Sequence, residues 1–344
     1  MRVGIDCRKI ADFGIGTYVR GLVRALAELG GEEEYVLFVP SSLRTALPFQ
    51  HVIVDAPHYS ARELWMMGRA IARAGLDLFH APHFVLPWTS CPSIATIHDV
   101  ILAHFPPPQP GGSLYYAGMM RRALRKSVRI LTVSEAAKRS IVETFPCDPG
   151  KITVTPNGIE PIFFEPGPAA SELGRYFLYV GNDKPHKNVS AVVGAFHAVE
   201  GASLVLAGAD FGRYRGFPGI LTPGFVTIER LAELYRGAVA VVVPSLEEGF
   251  GLPAAEAMAC GTPVIASRIA SLVEVAGDAA LYVDPTPADT ATTGLRFAEA
   301  MNRMLREPAL RGELSARGRA RAVPFTWRRC AELTRQAYRS VVEA

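Results

Sequence analysis

Cysteine is scarce in this chain of 344 residues, and its pattern excludes several classes of protein. The five cysteines are scattered, and no pair has the C-x-x-C spacing of zinc or redox sites. An odd, scattered set argues against a disulfide framework, so we expect a reducing, cytoplasmic environment. The five residues are Cys7, Cys91, Cys147, Cys260 and Cys330.

Long apolar runs and a strong charge excess are also missing. No run approaches the roughly 20 residues that span a bilayer, and the first residues lack the layout of a secretory signal. The formal net charge is only +3, which is too small to indicate a nucleic-acid partner. Basic and aromatic residues do not interleave as a base-stacking surface requires.

The sequence does contain short apolar segments that alternate with helical ones, which is typical of parallel α/β sheets. The length suits about two domains, and 49% hydrophobic residues are enough for packed cores. We interpret the turn-rich stretch 165–174 as a linker, and so predict domains at 1–165 and 166–326 with a final helix at 327–344. Strands are predicted at 2–6, 35–39, 51–54, 77–80, 93–97, 129–133, 152–154, 176–180, 203–207, 239–243, 263–265 and 280–283. Helices are predicted at 16–29, 60–74, 113–127, 135–144, 188–199, 229–236, 253–259, 294–305, 308–321 and 327–342.

The segment 244–264, PSLEEGFGLPAAEAMACGTPV, is the most informative about chemistry. It follows an apolar run, so it begins at the carboxyl end of a predicted strand, where open α/β sheets bind ligands. Gly249 and Gly251 permit a tight turn, and Pro253 suits the first turn of a helix. We expect the unpaired N–H groups near Gly251 to Ala254 to attract an anion or a hydroxyl-rich group.

Two carboxylates flank this turn, Glu248 before the helix and Glu256 in its predicted first turn. Carboxylate oxygens accept hydroxyl protons, so a ligand with both phosphates and sugar hydroxyls fits the segment. The alternative is that both are solvated surface charges, but two carboxylates around one strand-end turn favour a site.

A second polar cluster, YVGNDKPHKN at 179–188, follows another predicted strand. Lys184 and Lys187 could neutralise a pyrophosphate, and Asn188 could cap the next helix. Cations at a departing diphosphate stabilise the transition state more than the ground state. Two solvated lysines in a polar loop are the alternative.

In the first half, FGIGTY at 13–18 is a glycine-rich turn that opens a helix. Gly14 and Gly16 begin a phosphate-binding fingerprint, but Val19 occupies the third glycine position and no acidic residue ends the next strand, which disfavours a dinucleotide site. Farther along, His98 and Asp99 end an apolar strand. His98 could donate a hydrogen bond to a sugar hydroxyl or shuttle a proton. Asp99 could be a catalytic neighbour or could form an Asx turn.

The string EGFGLPAAEAMACGTPV at 248–264 resembles the family 4 glycosyltransferases, which are nucleotide-sugar-dependent, retaining enzymes. The resemblance covers both halves and implies the GT-B fold: an α/β protein with two Rossmann-like domains whose parallel sheets face each other across a cleft. It implies catalytic roles for His98, Glu248 and Lys187. It also implies donor contacts from Gly16, Lys184, Lys187, Val226, Glu248, Phe250, Gly251, Leu252 and Glu256, and a cleft or acceptor loop with Gly14, Ile15 and Asp99.

The expected activity is transfer of a sugar from a nucleoside-diphosphate donor to a glycan or lipid-linked glycan. The H-K-N variant at 186–188 resembles mannosyltransferase-like members and favours GDP-mannose over UDP-sugars. The resemblance implies phosphates held by lysines and backbone, without a metal or other cofactor. A UDP-sugar transferase, a sugar-nucleotide epimerase and a non-catalytic sugar-nucleotide or glycan-binding protein are the alternatives. The basic and aromatic helix at 114–126 raises the prospect of a peripheral contact with the inner membrane face.

Overall fold

The computed structural model describes residues 1–43, 48–209, 211–286 and 288–343. The chain divides into two compact units. Unit 1 comprises Met1–Gly158 and Thr326–Ala344, and unit 2 comprises Ile159–Phe325. Each unit contains one sheet whose strand pairs are all parallel, so the prediction of an α/β protein with two Rossmann-like domains is confirmed.

The sheet of unit 1 has seven strands in the order β3-β2-β1-β4-β5-β6-β7. Its strands are β1 (Arg2–Asp6), β2 (Glu34–Val39), β3 (Gln50–Ile53), β4 (Leu78–Ala81), β5 (Ser93–Thr96), β6 (Arg129–Thr132) and β7 (Ile152–Val154). The helices are α1 (Gly14–Leu29), α2 (Ala61–Ala74), α3 (Ile101–His104), α4 (Gly112–Lys126) and α5 (Glu135–Thr144). The central strands are buried on both faces, which explains their near-continuous apolar sequences.

The sheet of unit 2 has six strands in the order β10-β9-β8-β11-β12-β13. Its strands are β8 (Tyr176–Asn182), β9 (Ser203–Ala209), β10 (Ile220–Gly224), β11 (Ala240–Val243), β12 (Val264–Ser267) and β13 (Ala280–Val283). Its helices are α6 (Val189–Ala195), α7 (Ile228–Gly237), α8 (Leu252–Cys260), α9 (Ala270–Ala276), α10 (Thr290–Arg306) and α11 (Pro308–Ala322). The last helix, α12 (Trp327–Val342), belongs to unit 1.

Each sheet reverses its strand order at one place, between β1 and β4 in unit 1 and between β8 and β11 in unit 2. At such a switch point the loops after the two strands diverge to opposite faces, which leaves a crevice at the carboxyl ends. The polar segments after these four strands are therefore candidates for a binding site.

The return of α12 to unit 1 is fixed by buried contacts. Trp327 and Tyr338 join the same core cluster as Leu22 of α1. The ring of His80 on β4 bonds the Tyr338 hydroxyl through Nδ1 (2.6 Å) and the Thr96 hydroxyl through Nε2 (2.7 Å). Burial lowers the pKa of His80 to about 3, so the ring is neutral near pH 7.

The division between the units lies at 158/159, seven residues before our predicted boundary at 165/166. The predicted linker at 165–174 instead belongs to unit 2. Arg236 of α7 donates hydrogen bonds to the carbonyls of Ile162, Glu165 and Pro168, and Ala170 N–H bonds the Glu233 carbonyl. Composition indicated a turn-rich stretch but not these tertiary bonds. The second division, at 325/326, lies within one residue of the prediction.

Three elements were absent from our sequence prediction, namely α3, β10 and α9. The helices α3 and α9 have four and seven residues, too few for a helical period to stand out. The strand β10 contains Pro223 and Gly224, which are turn residues in most settings, and it lies at the sheet edge where proline is tolerated. All five cysteines are free thiols. No helix in the described ranges is long and apolar enough to cross a membrane.

Candidate functional site

The switch point of unit 2 brings together Lys187, from the loop after β8, and Glu248, from the loop after β11. The Lys187 ammonium donates to Glu248 Oε1 over 2.7 Å. Ser245 donates its hydroxyl to the same oxygen, also over 2.7 Å. Both side chains of the ion pair are largely buried, with 19% and 9% exposure. A cation and an anion are thus held side by side at the carboxyl edge of the sheet, where open α/β sheets bind ligands.

The other polar residues of this loop are arranged differently from our expectation. Lys184 is exposed, whereas Lys187 is largely buried. Asn188 precedes α6 in a left-handed conformation, with φ of 51°, and its side chain makes no capping bond. The prediction of an Asn188 side-chain cap is therefore wrong, because this φ directs the side chain differently from an extended N-cap. Burial, then the charge of Lys187, lower the pKa of His186 to about 4.

The amino terminus of α8 lies directly after the Glu248 loop. Gly251 is its N-cap with φ of 95°, a conformation that an L side chain resists. Pro253 lies in the first turn, as predicted. Our expectation that the N–H groups through Ala254 are all unpaired needs correction, because Pro253 has none and Ala254 N–H bonds the Gly251 carbonyl at 3.0 Å.

The unpaired donors of this turn lie slightly earlier. Within the described residues, no hydrogen bond is present at the N–H groups of Phe250, Gly251 and Leu252. The Phe250 side chain is buried edge-on against Phe325, with ring centroids 5.3 Å apart. This packing holds the backbone of the turn in place, so its donors are preorganised for an anion.

Glu256 lies in the second turn of α8, one turn later than predicted, because the helix begins at Leu252. Its Oε2 accepts the hydroxyl of Tyr235 at 2.7 Å. One of the two carboxylate oxygens therefore already has a protein donor. Burial raises the pKa of Glu256 to about 7, against the opposing effect of the Tyr235 bond.

Val226 lies after β10, between the edge strand and α7. Its neighbour Phe225 has 67% of its side chain exposed. The carboxyl end of β10 pairs with β9 through Gly224 and Ala207. Val226, for which the resemblance implies a donor contact, therefore lies at the same sheet edge as the Lys187 loop, two strands away.

His98 follows β5 in unit 1 and is only partly exposed. Its Nε2 bonds the Pro82 carbonyl at 3.0 Å, and its ring packs edge-on against Tyr18 at 4.8 Å. Because a carbonyl only accepts, Nε2 carries the proton. Burial lowers the pKa of His98 to about 4, although the Pro82 bond acts the other way. The neutral ring then presents Nδ1 as an acceptor, whereas we expected a donor or a proton shuttle.

The remaining predicted residues of unit 1 surround the same sheet edge. Asp99 Oδ1 accepts the N–H of Ile101 at 3.0 Å, the Asx-turn arrangement that was one of its two interpretations. Gly14 is exposed at the start of α1, and Ile15 beside it is partly buried against the core of unit 1. Gly16 is buried, and a β-carbon there would come within 2.6 Å of the Ile10 carbonyl, which accounts for glycine without a ligand.

A buried ionic cluster at the switch point of unit 1 was missed by sequence reasoning. Arg8 binds Asp6 through Nε (2.9 Å) and Nη2 (2.7 Å), and Glu63 of α2 through Nη2 (2.8 Å). His83 Nε2 lies 3.5 Å from Asp6 Oδ2. Burial alone would raise the pKa of Asp6, but Arg8 and His83 hold it well below its usual range. Asp6 directly at the end of an apolar strand was the available signal.

The cluster also fixes the tautomer of His83. Val85 N–H donates to His83 Nδ1 at 3.0 Å, so the ring proton is on Nε2, which lies 3.5 Å from Asp6 Oδ2 but forms no hydrogen bond among the described residues. Side chains from the loops after both β1 and β4 thus lie beside one carboxylate. Breaking such a buried pair on one side leaves an uncompensated charge, so the cluster holds this crevice rigidly.

Two family models match the chain. The model described as "Glycosyltransferase Family 4" matches residues 14–162, and "Glycosyl transferases group 1" matches residues 174–307. Together they extend over most of both units. The chain belongs to glycosyltransferase family 4. The residues at the two switch points are therefore candidates for the site of a glycosyltransferase.

A curated relative and two solved structures are similar to this glycosyltransferase over nearly its whole length. O-antigen chain mannosyltransferase B of Escherichia coli is 28% identical, over 95% of this chain and 96% of its own. Sucrose-phosphate synthase of Thermosynechococcus elongatus has a TM-score of 0.81 at 22% identity, over 99% of both chains. Anabaena Alr3699/HepE, solved with UDP-glucose, has a TM-score of 0.78 at 14% identity, over 100% of both chains. At these identities the two structures establish the GT-B fold alone.

Proposed function

We propose that this glycosyltransferase moves a mannosyl group from GDP-mannose to a hydroxyl of a glycan or lipid-linked glycan, with retention of anomeric configuration, in bacterial-type polysaccharide or glycolipid assembly. The observation that carries the proposal is the Lys187–Glu248 pair, joined by Ser245, at the switch point of unit 2. It stands beside the unpaired N–H groups at the start of α8. We place the reaction in the cytoplasm.

In this proposal the diphosphate of the donor lies against the amino terminus of α8 and Lys187. Negative charge increases on the diphosphate as the glycosidic bond breaks, so a fixed ammonium stabilises the transition state more than the bound donor. Glu248 then accepts hydroxyl protons of the transferred sugar. Glu256 accepts a ribose hydroxyl through Oε1, because Tyr235 already bonds Oε2.

For His98 we propose a role as an acceptor. Its Nδ1 would take a hydrogen bond from a hydroxyl of the reacting sugar, which leaves the Nε2 bond to Pro82 intact. A ring with a pKa near 4 is a weak base. It orients the sugar and does not remove the acceptor's proton.

Retention requires the new bond to form on the face from which the old one leaves. The acceptor oxygen would bond to the anomeric carbon while the bond from that carbon to the β-phosphate oxygen breaks. The acceptor's proton passes to the departing phosphate oxygen, which serves as the base. Lys187 and the N–H groups of Phe250 to Leu252 neutralise the departing charge, so we propose no metal requirement.

The choice of mannose is supported by the H-K-N sequence at 186–188 and by the printed name of the Escherichia coli relative. That same name supports a glycan acceptor. The UDP-glucose complex of Anabaena Alr3699/HepE makes a UDP-sugar the second candidate donor. Both candidates use the same diphosphate contacts and differ in the base and the sugar.

The test is a thermal-shift panel of GDP, UDP, GDP-mannose and UDP-sugars, each with and without a chelator. We expect GDP-mannose to raise the melting temperature most, and chelator to leave that shift unchanged. A larger shift with a UDP-sugar would replace the donor, and a shift that requires magnesium or manganese would overturn the metal-free proposal.

Product analysis separates the remaining alternatives. Incubation with the preferred sugar nucleotide and an acceptor glycan should release nucleoside diphosphate and yield the α-linked product from an α-linked donor. An isomerised sugar nucleotide formed without acceptor would indicate an epimerase. Binding without any turnover across a panel of acceptors would favour a non-catalytic role.

A further inference from the structure

Two of the three tryptophans of this chain lie on the surface of unit 1. Trp65 of α2 is 53% exposed and Trp88, in the loop after β4, is 51% exposed, whereas Trp327 is only 4% exposed. Solvent-exposed tryptophan side chains are unusual, because tryptophan is enriched at protein interfaces and at membrane–water interfaces. The two exposed rings therefore indicate a contact surface.

The two tryptophans belong to one continuous face. A β-carbon on Gly68 of α2 would lie 3.0 Å from the Trp88 carbonyl, so the Trp88 loop packs directly on the helix that carries Trp65. Arg69 lies over the Trp65 ring at 4.7 Å. Arg122 of α4 lies over the Trp88 ring at 6.0 Å.

Arg122 also fastens α4 to this loop. Its Nε donates to the Leu86 carbonyl at 2.9 Å, and its Nη2 donates to the Pro87 carbonyl at 3.0 Å. The helices α2 and α4 and the loop between β4 and β5 thus form a single surface, which we call the tryptophan face. Sequence reasoning considered the 114–126 helix alone, because the packing of α2 against the Trp88 loop is a tertiary contact.

Every exposed charge on the two helices of the tryptophan face is positive. The only acidic residue in α2 or α4 is Glu63, which is buried against Arg8. Burial, then the neighbouring Arg125, lower the pKa of Arg122, as expected where cations are crowded. The basic residues are Arg62, Arg69, Arg73, Arg121, Arg122, Arg125 and Lys126.

An apolar residue completes the pattern at the start of α4. Leu114 is 82% exposed and begins the outward stripe of the helix, which continues through Gly118 to Arg121 and Arg125. An exposed leucine, two indoles and seven cations without an opposing anion combine apolar insertion with attraction to negative charge.

We propose that the tryptophan face binds the surface of an anionic phospholipid membrane, with the indoles of Trp65 and Trp88 at the level of the headgroups. Cationic side chains beside a bilayer gain favourable energy from anionic lipids, and the gain is reduced by salt. A nucleic acid fits less well, because arginines cover the indole faces on which bases would stack.

The first experiment follows the intrinsic fluorescence of the full chain with vesicles of phosphatidylcholine, with and without phosphatidylglycerol, and with no sugar nucleotide present. We expect a blue shift and quenching by brominated lipid with the anionic vesicles only. The double variant Trp65→Phe/Trp88→Phe retains Trp327 alone and should show neither change. Quenching that persists in this variant, or equal binding to both vesicle types, would overturn the proposal.

The second experiment reverses charge on the face. Arg69→Glu/Arg125→Glu should lower vesicle affinity at least roughly tenfold, and raised salt should weaken the parent in the same direction. The matched control is Arg303→Glu/Arg306→Glu, which makes the same charge change on exposed residues of α10 in unit 2. Parent-like binding by the first variant, equal loss in the control, or tighter binding of duplex DNA than of anionic vesicles would each refute the membrane assignment. None of these measurements depends on the proposed donor chemistry.

Discussion

Lys187 and Glu248 stand 61 residues apart in the chain, yet Lys187 Nζ donates to Glu248 Oε1 over 2.7 Å. The reversal of strand order between β8 and β11 places the two loops side by side. The pair neutralises itself before any ligand arrives, which avoids leaving either charge buried alone. A bound diphosphate would then compete with Glu248 for the Lys187 ammonium. We therefore expect substitutions of Lys187 and of Glu248 to have different effects on the reaction.

Lys187→Ala should lower kcat/KM by roughly 10²-fold or more, the scale for losing one preorganised donor to a developing anion. Lys184→Ala is the matched control, because Lys184 is exposed and occupies the same loop. We expect it to reduce kcat/KM by less than about tenfold. Steady-state kinetics of both variants measure the change in kcat/KM, and their melting temperatures show whether each variant is folded. Equal losses at the two positions would mean that the loop acts through net charge and not through this contact.

Glu256 should make donor affinity depend on pH. Its pKa near 7 means that the free site is partly protonated at neutral pH, whereas a ribose hydroxyl prefers the carboxylate. As the pH increases through the pKa of Glu256, affinity for GDP-mannose should rise by at most about tenfold per pH unit. Binding near neutral pH should release a proton. Calorimetry in buffers of different ionisation enthalpy measures that proton. GDP-mannose is the better ligand here because GDP itself titrates near neutrality.

Two variants test this assignment from opposite directions. Glu256→Gln should weaken binding and remove the pH dependence. Tyr235→Phe removes the bond that favours the charged carboxylate, so the pKa should rise and the dependence should move to higher pH. An unchanged pH profile in Glu256→Gln would assign the titration to another group.

His98 should be needed for transfer and dispensable for nucleotide binding. His98→Ala should lower kcat by roughly 10²-fold, the scale for losing the orientation of a reacting group, with nucleoside-diphosphate affinity unchanged. Because Nε2 already bonds Pro82, the free nitrogen is Nδ1, whose position the Asn oxygen reproduces better than the Gln amide. We therefore expect His98→Asn to retain more activity than His98→Gln. The reverse order in single-turnover assays would make His98 a donor, and parent-like turnover of His98→Ala would make it structural.

Tyr338→Phe should destabilise unit 1, because His80 Nδ1 would lose its partner in a fully buried site. The expected cost is about 1–3 kcal/mol in the free energy of unfolding. Tyr35→Phe is the control, since the Tyr35 hydroxyl is buried in the same core cluster without a partner among the described residues. Urea unfolding of both variants measures the difference. Equal costs would show that the His80 bond adds nothing beyond burial.

The fold could be predicted from the sequence because its information is local. Apolar composition predicts strands such as 93–96, and glycine and proline predict the turn before α8. The α/β class, the two domains and the family followed from these signals. The short elements α3 and α9 gave too few residues for a period to emerge, and β10 was hidden by Pro223 and Gly224.

The candidate site could be predicted only in part, because its geometry depends on tertiary contacts. Strand ends identified Lys187, Glu248 and His98, but their partners come from distant segments. Tyr235 reaches Glu256 from α7, and Pro82 fixes the proton of His98 from the loop after β4. Such partners set pKa and donor or acceptor character. Sequence reasoning therefore named residues correctly placed at the strand ends and misjudged how some of them present protons.

The membership of α12 in unit 1 has a consequence for the order in which this chain matures. Unit 2 is one continuous stretch, 159–325, whereas unit 1 needs residues from both sides of it. During synthesis the first 158 residues emerge long before Trp327 and Tyr338 exist to fill their core. Unit 1 therefore cannot complete its core until unit 2 has been translated, and part of its apolar surface stays uncovered until then. A truncation after residue 325 would consequently destabilise unit 1 and leave the sequence of unit 2 complete.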